Sequence, residues 1–496
     1  MPKKRAPLNL PLPAEDIISD YRIAYRSRQT SLIGRREVLS GKAKFGIFGD
    51  GKEVPQVAIA RAFRKGDFRA GYYRDQTWMF ALGEIGVQEF FAQLYAHADI
   101  EADPMTAGRQ MNGHYATRLL NADGSWRPQT GMYNISADLS PTGSQMPKLV
   151  GLAYASRLYR EIDLLHPLTD FSHNGDEVAW GTIGNASTAE GMFWESVNAI
   201  GVLKAPAVIT IYDDGYGISV PNQFQMVKEN IGEILRGFER DLNAPPDKIE
   251  HGYDHYTVAA WDYPALIETY ATASEIAREY HIPALVHVID VTQPQGHSTS
   301  GSHERYKSAE RLKWEEEFDC VMRFRKWLME NGIAAEAEIQ KWESEDRESV
   351  ENDRKKSWDA YLAPITEERR IVSSILSEME NESEPIQSIR AKLDSIPVPY
   401  RRDIHASIHE ALVAARGSSS PAKEKLIKWK NVQEAIQEDR YSSHVHSASK
   451  ENALNVKEIK PVYSENSPTV MGFEIMTACF DALLARDPRV IAFGED

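Results

Sequence analysis

The chain has 496 residues, 42% of them hydrophobic, and a formal net charge of −16 at pH 7. That length exceeds one ordinary domain and that apolar content fills a sizeable core, while the acidic balance argues against nucleic acid or an anionic membrane surface as a partner. Two cysteines, Cys320 and Cys479, allow neither a disulfide framework nor a cysteine metal centre.

The start, Met1-Pro2-Lys3-Lys4-Arg5, is basic and reads as a solvated tail. No apolar run long enough to span a bilayer follows it, and a cytoplasmic, reducing setting is expected. Between Phe45 and Glu84 lie Gly51-Lys52-Glu53 and Tyr72-Tyr73-Arg74-Asp75-Gln76. Arg74 suits an oxyanion because its planar fork bonds two oxygens at once, yet beside Asp75 it also reads as a surface pair. Glu177 to Ile183 has strand character, Thr188 to Leu203 has helical spacing through Ala189, Met192, Phe193, Val197, Ile200 and Val202, and Pro206 to Tyr212 is a second short apolar run. Gly184-Asn185-Ala186-Ser187 and Asp213-Asp214-Gly215-Tyr216 therefore sit at the ends of two strands joined by one helix, where strand ends meet at one crevice.

Small residues at 184, 186 and 187 let backbone amides approach phosphate oxygens at a helix start. Asn185, Asp214 and the carbonyl of Tyr216 together offer Mg²⁺ one amide oxygen, one carboxylate and one backbone oxygen, the rest coming from phosphates and water. The bland alternative is a pair of turns that punctuate an α/β domain. Further on, Pro283 to Asp290 reads as a buried parallel strand that delivers Gly296-His297-Ser298-Thr299-Ser300 into a polar loop. Arg311 to Gly332 reads as one amphipathic helix and 335–360 as another. Thr366 to Asn381 and Ser407 to Arg416 look helical, separated by Pro397-Val398-Pro399, and a last helix is expected through Ala485.

Segment 184–221 resembles the thiamin diphosphate motif of the alpha subunit of 2-oxoacid dehydrogenases, the decarboxylating component of those multienzyme complexes. The spacing is kept together with Gly191, Glu195, Asn198, Pro206 and Gly217-Ile218-Ser219, but the ligands are exchanged: Asn185 stands where the family has Asp, and Asp214 where it has Asn. The second family Gly is Ala186, tolerable if its φ stays negative. The similarity runs from about residue 20 to about 365. It implies that Tyr73 and Arg74 hold the diphosphate, and that Gly108 to His114, with Asn112 in place of Pro, is a loop of branched-chain wording. Ser140 and Thr142 fall in the stretch that touches the aminopyrimidine, and Ser144 and Gln145 where branched-chain members place a structural potassium ion. His297 matches a His at the reaction centre and a cofactor contact, and Ser298 a phosphorylation site of mitochondrial relatives. Thr292-Gln293 replaces the family's Tyr-Arg and removes a cation; with Asp213 replacing an Asn, the site reads as about two charges more negative, which predicts weaker cofactor retention.

What the resemblance implies is an α/β thiamin diphosphate-binding fold, a parallel sheet flanked by helices, followed by a helical linker and a truncated second α/β domain. The expected division is a tail at 1–25, an alpha-subunit-like diphosphate-binding domain at 26–364, a mostly helical linker at 365–465 and, at 466–496, the start of a beta-subunit-like domain ending in Gly494-Glu495-Asp496. Thiamin diphosphate and Mg²⁺, with K⁺ as an addition, are the implied cofactors. The implied activity is oxidative decarboxylation of a branched-chain 2-oxoacid with acyl transfer to a lipoyl arm. Pyruvate is the alternative acid, and a non-catalytic scaffold with an eroded site the alternative class. The implied partners are the remaining beta-subunit region, which would bring the cofactor-activating Glu, the lipoyl transacylase and a second copy related by a two-fold axis. Without that Glu the chain alone is expected to be inactive.

Overall fold

A computed structural model of the chain describes residues 12–245, 248, 250–381, 384–443, 445–447, 449–450 and 452–493. Helix α1 (Ala14–Leu39) leads to α2 (Glu53–Ala62), strand β1 (Phe68–Ala70), α3 (Gln76–Leu82) and α4 (Val87–Leu94). A long irregular stretch carries β2 (Asn134–Ile135) to α5 (Gln145–Glu161). Next come β3 (Ala179–Gly184), α6 (Gly191–Val202), β4 (Ala207–Tyr212) and a small hairpin of β5 (Tyr216–Gly217) and β6 (Val220–Pro221). After α7 (Ile231–Leu235), β7 (Asp254–Ala259), α8 (Tyr263–Tyr280) and β8 (Ala284–Ile289) complete the sheet. Helices α9 (Ala309–Glu317), α10 (Cys320–Glu330), α11 (Glu336–Glu378), α12 (Glu384–Asp394), α13 (Arg401–Ala414), α14 (Pro421–Ser442) and α15 (Gly472–Arg486) follow.

The six-stranded sheet has the order β2-β1-β3-β4-β8-β7, and every pairing in it is parallel. Strands buried on both faces read as apolar runs, which is why β3, β4 and β8 were visible in the sequence. Alternation divides their side chains between two cores. Trp180, Val208, Tyr212, Val286 and Val288 pack with Tyr21 of α1, Val57 of α2 and Leu266 of α8. Ile183, Ile209, Ile211 and Leu285 pack with Leu149 of α5, Phe193 of α6 and Ile231 of α7. The chain moves outward from β1 to β2 and then, from β3, in the opposite direction. Such a reversal opens a crevice at the carboxyl ends of the strands.

Several expected elements differ in their limits. Helix α6 starts at Gly191 rather than Thr188, because a 3-10 turn, Asn185–Ala189, intervenes and the Thr188 hydroxyl closes it by donating to the carbonyl of Asn185 at 2.6 Å. Phe193, Val197 and Ile200 are buried as expected, whereas Val202 is 72% exposed. The single helix expected from Arg311 is two: the Asp319 carboxylate caps α10 by accepting from the amides of Val321 and Met322. Helix α11 continues through Pro364, so no break falls at 364/365.

The later half of α11 joins α12, α13 and α14 around a third apolar core containing Val372, Leu376, Ile389, Leu393, Ile404, Ile408 and Leu426. Helix α15 forms as expected but buries none of its residues, and 487–493 form no strand. Gly494, Glu495 and Asp496, the expected end of that unit, lie outside the described residues. Among the described residues no helix is long and apolar enough to cross a membrane.

Candidate functional site

Two close approaches shape the crevice. Just past β1, the chain turns at Tyr72-Tyr73-Arg74, and this turn is fixed from below. The Asp75 carboxylate accepts from the Tyr72 amide at 3.2 Å, from the Thr182 hydroxyl at 2.6 Å and from the Arg69 guanidinium at 2.6 Å. A methyl at Gly71 would lie 2.1 Å from that carboxylate, so glycine is required there. The second approach joins segments far apart in sequence. Gly51, at φ +87°, lies so near the 292–297 loop that a Cβ would sit 1.8 Å from the carbonyl oxygen of Thr292.

The result is a cavity of about 430 Å³ at the carboxyl ends of β1, β3, β4 and β8. Of the residues singled out in the sequence, Tyr73, Arg74, Thr142, Gly184, Asn185, Ala186, Ser187, Asp214, Tyr216 and His297 all line it. Thr142 is exposed at its rim. Ala186 is not among the positive-φ residues, so the replacement of glycine there costs no backbone strain. Ser140 lies outside the lining and bonds Nε2 of His114 at 3.1 Å. Ser144 and Gln145 are also outside it, donating to the carbonyls of Pro141 at 2.7 Å and Thr182 at 3.0 Å. Ser298 is buried, with its hydroxyl 2.7 Å from that of Ser300.

Hydrogen bonds fix the orientation of Asn185. Its amide nitrogen donates to the side-chain oxygen of Asn222 at 2.7 Å, and the Asn222 nitrogen donates in turn to the Asp213 carboxylate at 3.2 Å and to the carbonyl of Glu229 at 3.3 Å. Because a carboxylate only accepts, Asp213 orients both amides and leaves the side-chain oxygen of Asn185 for a ligand. Asp213 itself lies outside the cavity lining, bonded also to Nε2 of His287 at 3.0 Å and to the Gly215 amide at 2.9 Å. Its charge is thus spent behind the site. Asp214 is the single carboxylate among the described lining residues; one of its oxygens accepts from the Tyr216 amide at 3.0 Å, and its carbonyl accepts from Arg311 at 2.8 Å.

Elsewhere in the lining, Arg74 donates to the carbonyl of Phe48 at 2.7 Å, and to the carbonyl and Nδ1 of His297 at 2.9 and 3.0 Å. Since a guanidinium only donates, Nδ1 of His297 accepts, and its proton resides on Nε2. Burial, reinforced by Arg74 and Lys52, pushes the His297 imidazole down to about 3, so it is neutral at physiological pH. Lys52, Tyr72 and Gln225 also line the cavity and were given no role from sequence; Gln293, read there as the loss of a cation, lines it too. Only the Gly51-Lys52 step hinted at the first of these. Lys52 is 2% exposed, and burial, then Arg74, lowers its ammonium to about 8 against the opposing pull of Asp214, Asp50 and Glu53.

The model of the dehydrogenase E1 component family matches residues 27–365. The chain belongs to that family. It is similar to the 2-oxoisovalerate dehydrogenase subunit alpha of Bacillus subtilis, 29% identical over 60% of this chain and 77% of the relative. It is also similar to the mitochondrial 2-oxoisovalerate dehydrogenase subunit alpha 2 of Arabidopsis thaliana (26% identical, 59% and 52% covered) and to the alpha subunit of Mus musculus (23%, 68% and 66%). The chain spans about half the length of the plant relative. Fold and family agree: a parallel sheet flanked by helices carries the E1 component match, and the cavity lies within the matched residues.

The lining fits the diphosphate and metal half of a thiamin diphosphate site. Two cations, Lys52 and Arg74, share the lining with one carboxylate and one oriented amide oxygen, which are hard oxygen donors of the kind Mg²⁺ takes. The side-chain oxygen of Gln225, buried against this cavity, has no hydrogen-bond partner. Among the described residues no cluster of three or more His, Cys, Asp or Glu side chains forms a metal site.

Proposed function

We propose that this chain binds thiamin diphosphate with Mg²⁺ in the β1/β3/β4/β8 crevice and acts as the alpha-subunit part of a 2-oxoacid dehydrogenase decarboxylating component. The observation that carries this reading is the convergence of Arg74, Asn185, Asp214 and His297 on one cavity from four separate segments. Asn185, Asp214 and the Tyr216 carbonyl would hold the metal; Tyr73, Arg74 and the backbone of 184–187 would hold the diphosphate. Bound there, thiamin diphosphate would supply the electron sink that decarboxylation of a 2-oxoacid needs. The chain's own contribution is placement. Neutral His297, with its proton on Nε2, can donate a hydrogen bond to a 2-oxoacid carboxylate or carbonyl, and Arg74 holds that tautomer.

The relatives named 2-oxoisovalerate dehydrogenase support a branched-chain 2-oxoacid as substrate, with acyl transfer to a lipoyl transacylase and pyruvate as the alternative acid. Domain limits of 26–364 for the cofactor-binding part, 365–465 for the helical segment and 466–496 for a beta-subunit beginning belong to the same reading, as do a two-fold dimer, the K⁺ position at Ser144 and Gln145, the aminopyrimidine contact at Ser140 and phosphorylation at Ser298. Helix α15 supports the beta-subunit assignment. Phe473, Ile475, Met476 and Phe480 are all more than half exposed, an apolar surface that needs a partner.

Calorimetric titration of the full chain with thiamin diphosphate is expected to show binding that requires Mg²⁺ and disappears with a chelator. Metal-independent or absent binding would overturn the assignment and favour a scaffold. In the assay with 2-oxoisovalerate and an artificial electron acceptor, the chain alone is expected to be silent and to gain activity when a beta-subunit region is added. Turnover by the chain alone would show that the activating acid lies within these residues.

A further inference from the structure

Lys52 combines three properties that are costly together. It is buried, it is charged, and among the described residues it has no ion pair; its one hydrogen bond runs to the neutral amide oxygen of Gln293 at 3.3 Å. The nearest carboxylates in sequence are committed elsewhere. Asp50 accepts from the Gln295 amide at 3.0 Å. Glu53 accepts from Arg28 at 2.7 and 2.9 Å and from the Gly51 amide at 2.8 Å. Asp214, in the same lining, attracts Lys52 without pairing with it, so a further counter-charge would stabilise this buried cation. Arg74, the other cation of the cavity, already gives three hydrogen bonds to protein acceptors. An ammonium carries three donors, so Lys52 retains two for a ligand.

Position gives the chemistry of that ligand. Lys52 is brought to the 292–297 loop by the Gly51 approach and lines the same cavity as Asn185 and Asp214. A diphosphate bound in this cavity would offer the anionic oxygens that a buried ammonium lacks. We propose that Lys52 is a diphosphate-binding residue of this site, its ammonium supplying the positive charge that the side chain at 293, a neutral Gln, does not. The inference rests on the thiamin diphosphate reading and deepens it. It also removes the expectation of a site two charges too negative, because Asp213 lies behind the cavity and Lys52 lies in it.

The test moves the charge between two positions. Affinities for thiamin diphosphate and for inorganic pyrophosphate, each with Mg²⁺, are measured by calorimetry on the full chain and on Lys52→Gln, Lys52→Arg, Gln293→Arg and the double variant Lys52→Gln/Gln293→Arg. Lys52→Gln is expected to weaken both ligands by about 10- to 100-fold, the range of one charge-assisted hydrogen bond. Lys52→Arg should hold affinity within about fivefold, and the double variant should recover at least about tenfold of the loss, with a steeper salt dependence than Lys52→Gln. Thermal unfolding of each variant checks the fold, and Lys52→Arg tests the charge if the Gln variants unfold. Wild-type binding with Lys52→Gln unaffected would overturn the role of Lys52 alone. Failure of the double variant to recover affinity while folded would do the same. No binding by the wild type would overturn the cofactor reading, and this inference with it.

Discussion

Asp214→Asn is expected to lower Mg²⁺-dependent affinity for thiamin diphosphate by about 100-fold, roughly 2.8 kcal/mol at about 1.4 kcal/mol per decade. Asp214 is the only carboxylate among the described residues of the cavity, so the substitution leaves the metal with neutral protein ligands alone. If the site were simply eroded, the same change would restore the family's amide and improve binding. An improvement would therefore sink the exchanged-ligand reading. Reversing both ligands, Asn185→Asp with Asp214→Asn, should recover only part of the loss. Asn222 presents its oxygen to position 185 at 2.7 Å because its nitrogen is held by Asp213 and Glu229, and a carboxylate at 185 would meet that oxygen. Adding Asp213→Asn frees Asn222 to turn, and the triple variant should recover more than the double. Equal affinities for the two would show that the three positions are not coupled.

That coupling marks where the sequence stopped being legible. Strands β3, β4 and β8 announce themselves as apolar runs, and the turns that follow them carry polar residues, so the crevice and most of its lining could be read directly. Strands β1 and β2 are too short, at three and two residues, to show any period. β7, Asp254–Ala259, is half polar because it forms the sheet edge. The split between α9 and α10 was hidden because Asp319 reads as one more charge in a charged helix, while its carboxylate in fact both caps α10 and pairs with Arg28 at 2.6 Å. Lys52 and the role of Asp213 were invisible for one reason. Each is defined by a partner on another segment, Gln293 for the first and Asn222 with His287 for the second, and spacing along the chain carries no information about such pairs. Residues 365–455 offered no motif, although Val372, Leu376, Ile404 and Ile408 do carry the three- and four-residue spacing of helices that share a core.

Replacing Arg69 is expected to be among the most destabilising single changes in the chain, and to damage the site from beneath. Arg69 is wholly buried and bridges two buried carboxylates, Asp75 at 2.6 Å and Asp138 at 3.0 Å, neither of which has appreciable contact with water. Arg69→Met keeps the apolar bulk and removes the charge, leaving two carboxylates facing each other in a dry interior. Breaking a buried pair in this way costs about 3–5 kcal/mol. The cost should depend on pH with a definite sign. Burial already raises the Asp75 carboxyl above its ordinary value, with Arg69 the largest opposing influence, so without Arg69 it rises further. A group whose folded pKa is raised loses stability as pH climbs through that value, so the gap between wild type and variant should widen from pH 5 to pH 8 and narrow in acid. Denaturant unfolding across that range checks both magnitude and slope; a gap that is constant with pH, or widest in acid, would refute the buried-charge explanation. Because the same Asp75 oxygen anchors the Tyr72 amide and the Thr182 hydroxyl, the folded fraction of the variant should also bind cofactor more weakly. Asp75→Asn in the Arg69→Met background should restore stability in part, by removing the charge that lost its partner. It should not restore affinity, since the hydrogen bond that Arg69 donates to the Tyr72 carbonyl at 3.1 Å, which also holds the Tyr72-Tyr73-Arg74 turn, stays lost.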